Sequence, residues 1–193
     1  MNFKAISELH SAGGVPFMIP MDIILALTFL LILYAVICQK ILGRTIHPNW
    51  TRLINELGGF ALAYGTFSSL VGFFFAFGAI EESTEIIPLN VIAGGLRVGL
   101  ITVLYGFGIL LLALLAYSFL TPLKRFGGFV LAAGTFSLLD GLFFTLGALE
   151  EYKNKITFPM ITALLYGAGI FVTSLFVYFT LRMKMVAASS TPQ

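Results

Sequence analysis

Charge is scarce in this chain. Of its 193 residues, 10% are charged and 59% are hydrophobic, and the mean hydropathy is +0.99. A soluble domain carries about 25% charged residues, so too few polar groups are present to coat a water-facing surface. Cysteine is nearly absent as well. Cys38 stands alone, which excludes an intrachain disulfide and leaves a packed apolar thiol as its expected role. The basic residues are scattered, with a net charge of +2, and form no stripe of the kind that binds nucleic acid. The two histidines, His10 and His47, fall on opposite sides of the topology derived below, so they make no shared metal site. No nucleophile–base set, phosphate loop or metal-ligand spacing occurs. Neither an enzyme nor a cofactor is expected.

What is abundant is the long apolar run. A spanning helix needs about 20 mostly apolar residues, and five stretches qualify: Val15–Gln39, Leu57–Ile80, Leu89–Leu120, Phe126–Leu149 and Thr157–Leu181. The first lacks the basic leader and the small-residue cleavage site of a signal peptide. Lys40, Arg44 and Arg52 follow the first stretch, Lys124 and Arg125 follow the third, and Arg182 and Lys184 follow the fifth. Positive residues stay cytoplasmic. The expectation is therefore an all-α integral membrane protein with five spans, the N-terminus outside and the C-terminus inside, in a single transmembrane domain. Residues 1–56 hold the first span and a cytoplasmic linker. Residues 57–121 and 124–184 form two hairpins, and 185–193 a disordered tail. Trp50 reads as an interfacial anchor, and Arg52 with Glu56 as a surface i, i+4 pair.

The two hairpins are related. GGFALAYGTFSSLVGFFFAFGAIEE begins at Gly58, and GGFVLAAGTFSLLDGLFFTLGALEE begins at Gly127, 69 residues later; 17 of the 25 positions are identical. The returning spans share LITVLYGFGI from Leu100 and MITALLYGAGI from Met160, and there the offset falls to 61. Two in–out, out–in units in tandem make a parallel repeat. Gly58, Gly65 and Gly72, matched by Gly127, Gly134 and Gly141, recur every seven residues and so share one helix face. Small residues on one face let helices approach closely in lipid. Phe60, Phe67, Phe74 and Phe75, with Phe129, Phe136, Phe143 and Phe144, lie opposite and read as lipid-facing or wedge-like.

Three stretches together carry a resemblance: SAGGVPFMIPMDIILALTFLLIL from Ser11, GTFSSLVGFFFAFGAIEE from Gly65 and IAGGLRVGLITVLYGFGIL from Ile92. They resemble the three spans of the MotA/TolQ/ExbB proton-channel family in its small, loop-poor form, with the last two spans duplicated. The resemblance implies a homo-oligomeric ring in a bacterial inner membrane, built around a single-span ExbD/TolR/MotB-like partner and passing protons or another monovalent cation. It implies an ion path lined by polar residues, for which Ser69, Thr102 and Asp140 are the candidates. Relative to the family pattern, Ser68-Ser69 replaces a Gly-Thr pair, Val103 stands where a threonine is usual, and the second copy has Leu138 and Leu164 at the corresponding places. Two further readings stay open: a non-conducting structural subunit of the same family, and a small transporter built from parallel repeats.

Ionisable residues inside spans are costly and so informative. Arg97 and Asp140 lie about 12 Å and about 14 Å from the outer ends of their spans at 1.5 Å per residue. The matching depths suggest an intramembrane ion pair joining the copies. Alternatives are Arg97 reaching Glu81, Glu82 or Glu85, Asp140 as an ion carrier, and Asp140 neutral and hydrogen-bonded. Glu81, Glu82, Glu150 and Glu151 form an acidic outer rim, read as solvated helix ends or as a cation-collecting vestibule. Asp22 marks the outer start of the first span. Tyr105 and Tyr166 lie deep and need hydroxyl partners.

Overall fold

The computed structural model describes residues 10–43, 48–81, 87–120, 126–151 and 158–189. Helix is the only regular structure among them. α1 spans Val15–Val36 and ends in a π-helical turn, Ile37–Ile41; α2 spans Pro48–Glu81, α3 Leu89–Leu120, α4 Phe126–Glu151 and α5 Phe158–Ser189. All five α-helices are long and apolar enough to cross a membrane. Phe74, Phe119 and Phe176 are each about three-quarters exposed. Rings left open on this scale would form an aggregating patch in water, whereas lipid receives them without cost. The chain is an all-helical, multi-pass membrane protein. α5 runs on to Ser189, past the span end expected at Leu181 and into the tail expected to be disordered from residue 185; residues 190–193, Glu82, Glu85 and His47 lie outside the described residues.

The helices pack in a row, α2 on α3, α3 on α4 and α4 on α5, and α1 lies against both α2 and α3. Small residues make the closest crossings, as the sevenfold spacing implies. A Cβ added at Gly65 would meet the Thr102 carbonyl, one at Gly58 would meet Ala113 and Leu110, and one at Gly106 would stand 2.5 Å from the Ala61 carbonyl oxygen. The first crossing also takes the Met21 side chain of α1. Ile54, Ala61, Ile109 and Ala113 fill the remaining contacts with Ile24 and Ala35. Gly72 is the exception to the expected packing face. A Cβ added there would meet nothing within 4 Å, while, one residue on, the ring of Phe73 packs against Gly99 between the C-terminal end of α2 and the N-terminal part of α3.

The α4–α5 hairpin uses the same kind of seam one heptad out of step. Gly134 sits on Ser174 and Phe171, and Gly141 on the Ala163 carbonyl; Gly167 sits on Ser137. By the sequence offsets of 69 and 61, Gly134 corresponds to Gly65, Ser174 to Ala113 and Phe171 to Leu110. The partners of Gly58 in the first hairpin are therefore met by the counterpart of Gly65 in the second. Each of the three contacts is displaced by the same seven residues. Connection length explains it: the second return comes eight residues sooner, the difference between the two offsets. With the first hairpin's register, α5 would begin about 18 Å below the end of α4 at 1.5 Å per residue, and the last three turns of α4 would lose their partner. A slide of seven restores the pairing and keeps glycine on the contact face.

Between the hairpins, Gly94 lies against Glu150, Gly147 against Arg97, and Phe107 against Phe136. Two of the phenylalanines expected on the lipid face, Phe136 and Phe143, thus serve as wedges against α3. Phe60, Phe67, Phe74, Phe75 and Phe144 are exposed as expected.

If the seam sets the packing, Gly106→Val drives a branched side chain into the Ala61 backbone and costs about 1–3 kcal/mol. Gly59→Ala, which meets nothing within 4 Å, stays within about 0.5 kcal/mol of wild type. Reversible unfolding in mixed detergent micelles measures both.

Candidate functional site

Asp22, Arg97 and Asp140, charged residues set within apolar helical runs, stand at three separate places. The first is built by Gly14. Its φ of +80° is a backbone state that a side chain disfavours, and it breaks the helical turn at residues 10–13 from α1. The turn brings His10 to α1. His10 Nε2 lies 2.7 Å from Asp22 Oδ2, and the Tyr105 hydroxyl donates to Asp22 Oδ1 at 2.6 Å. The His10 and Tyr105 rings meet edge to face with centroids 6.4 Å apart. Both oxygens of one carboxylate are thus engaged, from two different segments. Asp22 lies two turns inside α1, about 10 Å from Val15, and not at the start of the span as the sequence suggested. Its side chain is 42% exposed and that of His10 24%, so the cluster opens to one side of the bundle. Hydrogen bonds to a charged group are shorter and stronger than neutral ones. Two such partners offset part of the cost of a carboxylate at this depth.

The second place is Arg97. Its Nη1 lies 3.2 Å from Glu150 Oε2, and its guanidinium sits 4.9 Å from the centroid of the Phe143 ring. The ion pair expected with Asp140 does not form. The α3–α4 register sets Arg97 beside Gly147, and Asp140 is seven residues further in, about 10 Å at 1.5 Å per residue. Equal depths in sequence do not mean equal height, because the two helix ends do not coincide: Gly94, five residues into α3, is level with Glu150 near the end of α4. Of the acidic residues, Glu150 is this partner, Glu151 lines a hollow together with Arg97 and Gly147, and Glu81 is exposed.

Asp140 marks the third place. It lines an open groove of about 450 Å³ between α4 and α5 with Ser137, Phe144, Thr162 and Tyr166. Among the described residues its carboxylate forms no ion pair or hydrogen bond. Ser69 and Thr102, the other residues expected on an ion path, are both buried within the α1–α2–α3 contact. The Thr102 hydroxyl donates to the Gly65 carbonyl at 3.1 Å and reaches the Gly99 carbonyl at 3.3 Å. It closes the seam. The Ser68 hydroxyl bonds back to the Tyr64 carbonyl at 2.9 Å. Among the described residues no group of three or more His, Cys, Asp or Glu gathers as a metal site.

Comparison with protein-family models, with curated proteins and with solved structures finds no match for this chain.

Sequence reasoning missed the His10–Asp22–Tyr105 cluster. The local signal was present: Asp22 is the only charged residue between Val15 and Gln39. Its partners are 12 and 83 residues away, and nothing in the periodicity links them. Tyr105→Phe should cost about 1.5–3 kcal/mol, as for loss of a hydrogen bond to a charged group. Arg97→Gln and Glu150→Gln should couple by no more than about 1 kcal/mol, since both side chains are nearly half exposed. Arg97→Gln with Asp140→Asn should be additive. Double-mutant unfolding cycles in micelles read all three.

Proposed function

We propose that this protein is an ion-conducting subunit of a bacterial inner membrane, passing protons or another monovalent cation, with Asp22 as the group that takes up the ion. The observation that carries the reading is the His10–Asp22–Tyr105 cluster. Chains of aspartate, histidine and hydroxyl groups at membrane depth are the usual material of proton relays. A proton on Asp22 has an acceptor within 2.7 Å in the His10 ring when that ring presents an unprotonated Nε2. The partly exposed side of the cluster is where a neighbouring helix would complete a path. In this reading the subunit inserts with its N-terminus outside, its two hairpins repeat in parallel, and copies assemble around a single-span partner. That arrangement follows the MotA/TolQ/ExbB resemblance in residues 11–33, 65–82 and 92–110. It differs from the resemblance in one respect, because an aspartate of the subunit itself stands on the path. The driving force is adequate: a unit charge crossing 100 mV releases about 2.3 kcal/mol.

A second reading is favoured by one observation. Thr102 spends its hydroxyl on the Gly65 backbone, as a purely structural residue would. In that reading the chain is a non-conducting subunit of the same architecture.

Purified protein, alone and with a co-expressed single-span neighbour, is reconstituted in vesicles carrying a pH-sensitive dye and a potassium diffusion potential. The expected result is proton entry that Asp22→Asn abolishes and Tyr105→Phe slows, with Asp140→Asn close to wild type. Entry that is unaffected by Asp22→Asn removes Asp22 from the path. No entry in either preparation supports the structural reading.

A further inference from the structure

The α4–α5 groove has no part in the path just proposed, and it poses a separate physical problem. Asp140 is 11 residues from the end of α4 at Glu151, about 16 Å at 1.5 Å per residue and so near the middle of a hydrocarbon core about 30 Å thick. Among the described residues no cation reaches it: Arg97 pairs with Glu150, and the Asp140 carboxylate forms no ion pair or hydrogen bond. The carboxylate belongs to the second copy alone, since the aligned residue of the first copy is Val71.

Its surroundings are those of a ligand site. The groove holds about 450 Å³, within the range of about 300–1,000 Å³ typical of small-molecule pockets. Its walls are aromatic, from Phe144 and Tyr166, and its polar groups are the hydroxyls of Ser137 and Thr162 beside Asp140. Phe144 and Tyr166 are 58% and 72% exposed, so the groove opens sideways, towards lipid. A second hollow of about 360 Å³ borders it at Phe144, Pro159 and Ala163 and is also lined by Arg97 and Glu151.

The geometry points to a binding site for a lipophilic organic monocation, an amphiphilic amine, quaternary ammonium or phosphonium. Its charge sits against Asp140, and its apolar body lies between Phe144 and Tyr166. Such a ligand reaches the groove from the bilayer, where it already concentrates. Its charge replaces the missing counter-ion of Asp140, and the aromatic faces add cation–π attraction. An anion is repelled by Asp140, and a neutral apolar molecule gains nothing from it.

Equilibrium dialysis of radiolabelled tetraphenylphosphonium against the full-length protein in a non-ionic detergent tests the site, with neutral triphenylphosphine oxide as competitor. Wild type is expected to bind the cation saturably and to prefer it over the neutral competitor. Asp140→Asn should weaken binding about tenfold or more, the scale of a lost charge-assisted contact, and Asp140→Glu should restore most of it. Tyr166→Ala, a change at an exposed residue that leaves the core intact, should weaken it severalfold. Asp22→Asn should bind as wild type does, which separates this site from the ion path: either can fail alone. Binding that is equal in wild type and Asp140→Asn, or displaced equally by the neutral analogue, is adsorption to the micelle and overturns the proposal.

Discussion

Backbone-to-backbone approach at glycine is the contact on which the rest of this protein depends. In lipid no hydrophobic drive gathers helices, so dispersion between closely fitted surfaces and a few hydrogen bonds must do it. Gly65 under Thr102, Gly106 under Ala61, Gly141 under Ala163 and Gly167 under Ser137 are the places where a Cβ would enter a neighbouring backbone or its carbonyl. Those crossings fix which faces of α2–α5 are turned inward. They also decide which side chains are left to face lipid. The Thr102–Gly65 hydrogen bond reinforces a crossing that glycine already permits.

A heptad of small residues specifies a face but not a position along it. Sliding one helix by seven residues presents glycine again, so the same seam serves two registers. The first hairpin takes one and the second takes the other, as its shorter connection requires. This degeneracy explains what was legible in the sequence. The helices, their approximate ends and the small face could be read from hydropathy and the spacing of Gly58, Gly65, Gly127, Gly134 and Gly141. The heptad spacing leaves the register of each hairpin undetermined. The Arg97–Asp140 pairing fails for a different reason: equal depths count from helix ends that are not level, and Gly147, two turns from Asp140, is the actual neighbour of Arg97. Gly72 shows the complementary limit. Its spacing is correct, yet a Cβ there would meet nothing within 4 Å while Phe73 packs on Gly99, and a repeat pattern says nothing of that.

The polar sites follow from the same geometry. Burying one face of α4 on Gly141 leaves the adjacent Asp140 at the edge of the seam, open to a groove instead of sealed inside it. On the other side, Met21 fills the Gly65–Thr102 crossing and sets the neighbouring Asp22 within reach of Tyr105. That Asp22 and Asp140 each lie inside an apolar run was visible from the residues alone. That one acquires two partners and the other none was not, because it depends on the turn at Gly14 and on the register of α5. An ion path at Asp22 and a lateral cation site at Asp140 are two uses of carboxylates that one packing rule leaves accessible.

Disulfide trapping across the second hairpin bears most directly on this account, because the heptad slide underlies the placing of Asp140. In a Cys38→Ala background, cysteines are placed at Gly134 and Ser174, or at Gly127 and Ser174, and oxidised in native membranes. A disulfide needs Cα atoms within about 7 Å, and the two glycine positions are about 10 Å apart along the helix. The account predicts rapid cross-linking of the 134–174 pair and none of the 127–174 pair. Preferential cross-linking of 127–174, the pairing that matches the first hairpin, would contradict it.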